Sequence, residues 1–182
     1  MDTQNQLSPI TRALHWLVAL VVIAMLGMGF YMGTFEVWSL FPIHKAFGVI
    51  VLLIILPRIF WRLKNGWPMP VREYPTWEHK LALATHWVLI LGTLIMPISG
   101  FIFSGAGGHG VDVFGLVIAP MNPDPTNPHE VIPFNETMAD IGHETHEIMG
   151  YLMAIAIVLH TAGALKHHII DKDRTLLRML GK

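Results

Sequence analysis

Five histidines of this chain, His15, His44, His86, His146 and His160, sit within or against long apolar stretches. An ionisable side chain is costly there, so a role is the first reading of each. A neutral imidazole can pass protons or bind a metal through a ring nitrogen. Spacing separates the two. His146 and His160 are 14 residues apart, nearly four helical turns, which puts them within about 40° on one face and about 21 Å apart along the axis. In helices that alternate in direction across a membrane, His44 falls level with His146, and His15 with His160. The pattern is two cross-helix histidine pairs stacked through the bilayer. A flat iron macrocycle held between two imidazoles fits each pair, so the sequence predicts two haem b groups ligated by His15, His44, His146 and His160. Gly48 and Gly150 each follow a proposed ligand by four residues and would leave room for a ring edge.

Other chemistries fit less well. His143-Glu144-Thr145-His146 spaces its histidines i, i+3, one residue short of the zinc-peptidase motif. A proton-coupled transporter would set buried carboxylates beside its histidines, and stretches 13–33, 43–61, 81–103 and 148–165 hold none. A structural bundle accounts for one buried histidine but leaves two matched pairs unexplained. His86 is deep enough to approach the inner pair, and a hydrogen bond or propionate contact suits it better than ligation. His79, His109, His129 and His143 stay outside the ligand set.

The elements that must position these groups follow from composition. Of the 182 residues 53% are apolar and 14% charged, about half the usual charged share of a soluble domain. That excludes disorder, nucleic-acid binding by a basic face and an ordinary water-soluble fold. The absence of cysteine excludes disulfides, iron–sulfur clusters and covalent haem attachment. A span needs about 20 mainly apolar residues, and 13–33, 43–61, 81–103 and 146–166 meet that length. Lys45 and Arg58, near the ends of the second, must snorkel to the headgroups. The expectation is an all-α integral-membrane four-helix bundle, one domain over 1–182 with a long outer loop at 104–142. The first stretch is too long for a cleavable signal.

Charge sets the orientation. All cations but Lys45 fall before the first span, in or beside the segment between spans two and three, or at and beyond the end of span four, whereas the opposite side carries eight carboxylates, Glu36, Asp112, Asp124, Glu130, Glu136, Asp140, Glu144 and Glu147. The positive-inside rule then puts both termini in the cytoplasm of a bacterial inner membrane.

The chain resembles the small four-span bacterial cytochromes b561. The resemblance rests on His15-Trp16, on His44 followed by Gly48, and on Pro97 with Gly100. Its most specific part is His146-Glu147, His160, Ala164-Leu165-Lys166-His167-His168 and the run from Lys172 to Met179. It implies a di-haem b cytochrome that carries electrons through the membrane and exchanges them with quinone, ubiquinone being the mobile carrier. The family's haem ligands fall on the same four histidines. Some members are similar to superoxide:ubiquinone oxidoreductases. Related membrane subunits instead anchor a peripheral dehydrogenase or hydrogenase and take electrons from that partner protein.

Two further residues are assigned roles. His167, seven residues beyond His160, lies on the same face about 10 Å nearer the cytoplasm. From the residues alone, His167 and His168 serve equally well as a solvated helix end; the resemblance favours a quinone site at His167, with Arg12 a weaker candidate. Lys45 is the one outer cation able to draw an anion such as superoxide, although the eight carboxylates oppose that. Membrane lipid and quinone are the expected partners, with superoxide or a redox protein as donor and no nucleic acid.

Overall fold

In a computed structural model, residues 2–3, 6–127 and 129–182 are described. Four long helices carry the fold: α1 (Pro9–Phe35), α2 (Phe41–Asn65), α3 (Thr76–Ala106) and α4 (Glu136–Ile169). All four are long and apolar enough to cross a membrane. A 3₁₀ turn, Trp38–Leu40, joins α1 to α2. Between α3 and α4 stand two short strands, β1 (His109–Val113) and β2 (Leu116–Met121), and a last helix, α5 (Thr175–Leu180), follows α4.

The helix starts are written locally. The Ser8 hydroxyl accepts the Thr11 amide proton ahead of α1, with Pro9 in the first turn where no donor is missed. Asn135 caps α4 by accepting from the Met138 amide. Each helix outruns its apolar stretch at one or both ends, because a capped helix continues into the headgroup region, where water satisfies its polar face. That is why α4 begins ten residues before His146.

Few side chains in the helices are buried against protein; Leu20, Leu53, Phe60 and Val158 point outward, as lipid-facing residues do. The interior is assembled in two different ways. Val18 packs with Val51 and Ile55 between α1 and α2. α3 and α4 form the closest helix pair, and small residues make that approach possible. A Cβ added at Gly142 would come within 2.6 Å of the Phe103 amide nitrogen, and one at Gly92 within 2.8 Å of Met153 Cγ. Neither α1 nor α2 brings its backbone comparably close to α4. The two halves meet where α2 packs on α3, while α1 and α2 reach α4 through side chains, His15 and His44 among them.

The hairpin and α5 were not anticipated from the sequence. β1 and β2 pair antiparallel, Val113 opposite Leu116, within the segment expected to be loop. α5 folds back under the bundle, where Arg178 donates to the Met69 carbonyl and Trp16 Nε1 donates to the Met179 carbonyl at 3.0 Å. Both are short elements fixed by distant partners.

Candidate functional site

His15 on α1 faces His160 on α4 with ring centres 6.1 Å apart, and His44 on α2 faces His146 on α4 at 6.2 Å. Two imidazoles sharing one metal through bonds of about 2 Å, each with its ring centre about 1.1 Å further back, stand roughly 6.2 Å apart. Both separations match that arrangement. The four residues are largely enclosed by neighbouring side chains, and the pairs lie at opposite ends of the span, one beside the hairpin and one beside the termini.

The partners of the second ring nitrogen differ between the pairs. His146 Nδ1 donates to the Met96 carbonyl at 2.9 Å and lies 3.2 Å from Ser99 Oγ. That bond fixes the tautomer with the Nε2 lone pair available to a metal, as ligating histidines usually arrange. The Met96 carbonyl is reachable because Gly100, one turn on, has no side chain; a Cβ there would stand 3.0 Å from His146 Cε1. His44 Nδ1 is buried without a hydrogen-bond partner in the described residues, and its Cε1 lies 3.5 Å from the position of a Cβ on Gly29. At the other end Arg58 Nη2 lies 3.4 Å from His15 Nδ1. His86 on α3 stands 5.3 Å from His160, closer than His15 does, with Trp67 at 6.0 Å on its other side. The donor set is therefore imidazole throughout, which suits a haem iron.

Some expected neighbours are elsewhere. A Cβ on Gly48 would meet nothing within 4 Å, and one on Gly150 only the Met96 methyl at 3.9 Å. Gly100 and Gly29 are the glycines that border the imidazoles, and helix position alone does not distinguish them from the others. Lys45 Nζ donates to the His109 and Gly110 carbonyls at 3.0 and 2.8 Å and stands over the Phe41 ring. It holds β1 against α2. The His109 ring, packed on Phe41 and Phe103, has its pKa lowered by burial and by the Lys45 charge.

His167 closes the other end of the structure. Its Nδ1 donates to Asp171 Oδ2 at 2.9 Å and lies 3.3 Å from Asp173 Oδ2, and its ring stands 4.6 Å from Tyr74. Lys166 Nζ bridges Glu78 and Asp171 at 2.7 and 3.0 Å, supplying the cation for a carboxylate-rich cluster. Arg72 reaches Asp171 at 3.0 Å. Hydrogen bonds from Lys166 hold the Asp171 carboxyl below its usual range, with His167 and Arg72 adding to the effect. Burial would raise Asp173, but bonds from the Thr175 amide and hydroxyl and from Tyr74 outweigh it and lower its pKa. His168 is exposed and lies outside this network. Arg12 has its Nε buried without a hydrogen-bond partner in the described residues. Tyr74, which stands against His167 from the loop before α3, and Glu78, which pairs with Lys166 from α3, carry no sequence signal that would have singled them out.

The sequence profile described as prokaryotic cytochrome b561 matches residues 6–182. The chain is 31% identical over 192 aligned positions to cytochrome b561 homolog 2 of Escherichia coli (strain K12), covering all of this chain and 94% of that protein. It is 31% identical to the probable superoxide oxidase CybB of Yersinia pestis, over 93% of this chain and 92% of that one. Cytochrome b561 homolog 1 of Escherichia coli (strain K12) is 29% identical over 97% of both chains.

Proposed function

The chain belongs to the prokaryotic cytochrome b561 family, multi-pass bacterial membrane proteins that bind haem b and carry electrons, and we propose that it holds two haems and passes electrons between a donor at the hairpin end and quinone at the terminal end. The observation that carries this reading is the pair of imidazole separations, 6.1 and 6.2 Å, set along one helix by histidines 14 residues apart. His15 and His160 would hold one haem, His44 and His146 the other. Haem b supplies one-electron transfer when bound, and a bis-histidine site leaves no open position for inner-sphere chemistry.

The chain's own residues do the rest. Met96 and Ser99 orient His146. Asp171 and Asp173 accept from His167 Nδ1 and fix the ring, leaving Nε2 to meet a quinone carbonyl. Reduction of the quinone to quinol takes two electrons and two protons, and His167 with its carboxylates is the nearest route for those protons. The cation distribution supports placing this end in the cytoplasm of the inner membrane, with the hairpin on the outer side.

Superoxide is the donor to test first. One relative is named a probable superoxide oxidase, and Lys45, beside His44, is the sole cation of the hairpin end. A haem-bearing anchor that passes electrons from a peripheral dehydrogenase or hydrogenase to quinone differs in one observable: it co-purifies with that partner.

The test is stopped-flow reoxidation of the reduced protein by ubiquinone analogues. His167→Ala is expected to keep both haem spectra and slow reoxidation severalfold. Unchanged quinone kinetics in that variant would move the quinone site away from His167.

A further inference from the structure

We propose that the β1–β2 hairpin is a membrane-dipping wedge, its tip inserted into the headgroup–acyl boundary beside α2, and that its partner is lipid. Three independent observations carry this. The first is composition: from Val113 to Met121 no residue bears a charged or hydrogen-bonding side chain. Phe114, Leu116 and Val117 are 68%, 65% and 64% exposed, a contiguous apolar tip that a water-facing loop would not keep uncovered.

The second is the turn. Val113 pairs with Leu116, so Phe114 and Gly115 form a two-residue loop, with φ of 51° and 96°. Left-handed backbone at both positions is what Asn-Gly or Gly-Gly adopts at least cost. A bulky aromatic in the first position is strained, and contacts made by its ring must offset that. Among the described residues the Phe47 ring stands edge-on to it at 5.7 Å, and most of its surface is left for a surrounding medium.

The third is depth. The open end of the hairpin is fixed at the start of α2, where His109 packs on Phe41 and Lys45 binds the His109 and Gly110 carbonyls. The tip, by contrast, lies beside Phe47. Phe47 follows Phe41 by six residues, about 9 Å along the helix. The ribbon therefore runs alongside α2 from the level of Phe41 to that of Phe47, its open end also packed on α3 and its apolar tip exposed. Asp112, the nearest carboxylate, accepts from the Gly115 amide and satisfies the turn. A two-stranded ribbon keeps unpaired edge groups, which exclude it from the hydrocarbon centre. The interface, where aromatic rings concentrate, is the depth that remains.

The absence of native cysteine makes the test direct. The haem-loaded chain is placed in nanodiscs of phosphatidylethanolamine and phosphatidylglycerol, with a nitroxide on Leu116→Cys. Leu53→Cys serves as the lipid reference and Glu130→Cys as the aqueous one. Power saturation should find the Leu116 label more open to oxygen and better shielded from a nickel chelate than Glu130, with a ratio between those of Glu130 and of Leu53, which lies deeper along α2. Phe114→Asp should retain both haems while raising nickel accessibility at Leu116 several-fold. A Leu116 ratio equal to that of Glu130 would overturn the proposal. So would shielding from both reagents, with or without spin–spin broadening, since that means protein covers the tip.

Discussion

At the hairpin end His146 gives its Nδ1 proton to a backbone carbonyl, and a glycine lies against its ring. At the terminal end His15 faces a guanidinium, and a third imidazole crowds His160. The separations within the two pairs agree to 0.1 Å (6.1 and 6.2 Å), whereas the ring planes cross at 52° in the first and 85° in the second, and the surroundings differ as well. A carbonyl acceptor fixes the tautomer and makes the imidazole a better electron donor to a metal. A nearby cation favours whichever redox state carries less positive charge. One chain thus offers two imidazole pairs of matching separation in different electrostatic surroundings, and if each holds a haem a potential gradient along a single helix follows. Electrons should be held more tightly at the terminal end, downhill from the hairpin end.

The largest expected effect breaks the comparison outright. His44→Ala or His146→Ala should reduce haem content from two per chain to one and leave the terminal-end spectrum intact; His15→Ala or His160→Ala should do the reverse. Pyridine haemochrome assay and low-temperature EPR read both. Two low-spin haems surviving in His44→Ala would show the pairing to be wrong.

Next in size is the bias itself. A buried unit charge a few ångströms from a redox centre is worth tens of millivolts, up to about 100 mV. Arg58→Leu should lower the terminal-end midpoint by that much and leave the hairpin-end midpoint nearly unmoved, with Arg58→Lys restoring most of the difference. Potentiometric titration decides, and equal shifts at both haems would remove Arg58 as the cause. His86→Ala should act more weakly still, keeping both haems low-spin with a smaller change in the same potential. Loss of one low-spin signal would make His86 a ligand in place of His15.

The smallest effect concerns the carboxylates that lock the C-terminal segment. Asp171 and Asp173 have folded-state pKa values below the ordinary 3.8. Their contribution is therefore fully present above that value and is lost as pH falls through the lowered one. A nitroxide on Leu180→Cys should be immobile at neutral pH and gain mobility only below about pH 4. Mobility rising at pH 6 would assign the lock to another group.

Much of this molecule was legible along the chain. Hydropathy and length specify four spans because a bilayer imposes one length on every helix that crosses it, and helical period places His146 and His160 on one face whatever α4 packs against. Orientation in the membrane is an expectation from the positive-inside rule alone. What packs where is another matter. Met96, Ser99 and Gly100 become partners of His146 only because α3 and α4 approach closely enough for a carbonyl to meet an imidazole 50 residues away. The nearness of Arg58 to His15, and of His86 to His160, depends on how α1, α2 and α3 are rotated, which lipid-facing apolar residues do not dictate. The hairpin escaped notice because its turn is Phe-Gly rather than Asn-Gly and its strands read as a continuous apolar run. Sequence determined the histidines available at each depth; only the tertiary structure decided their neighbours, because those contacts join residues whose separation along the chain carries no period.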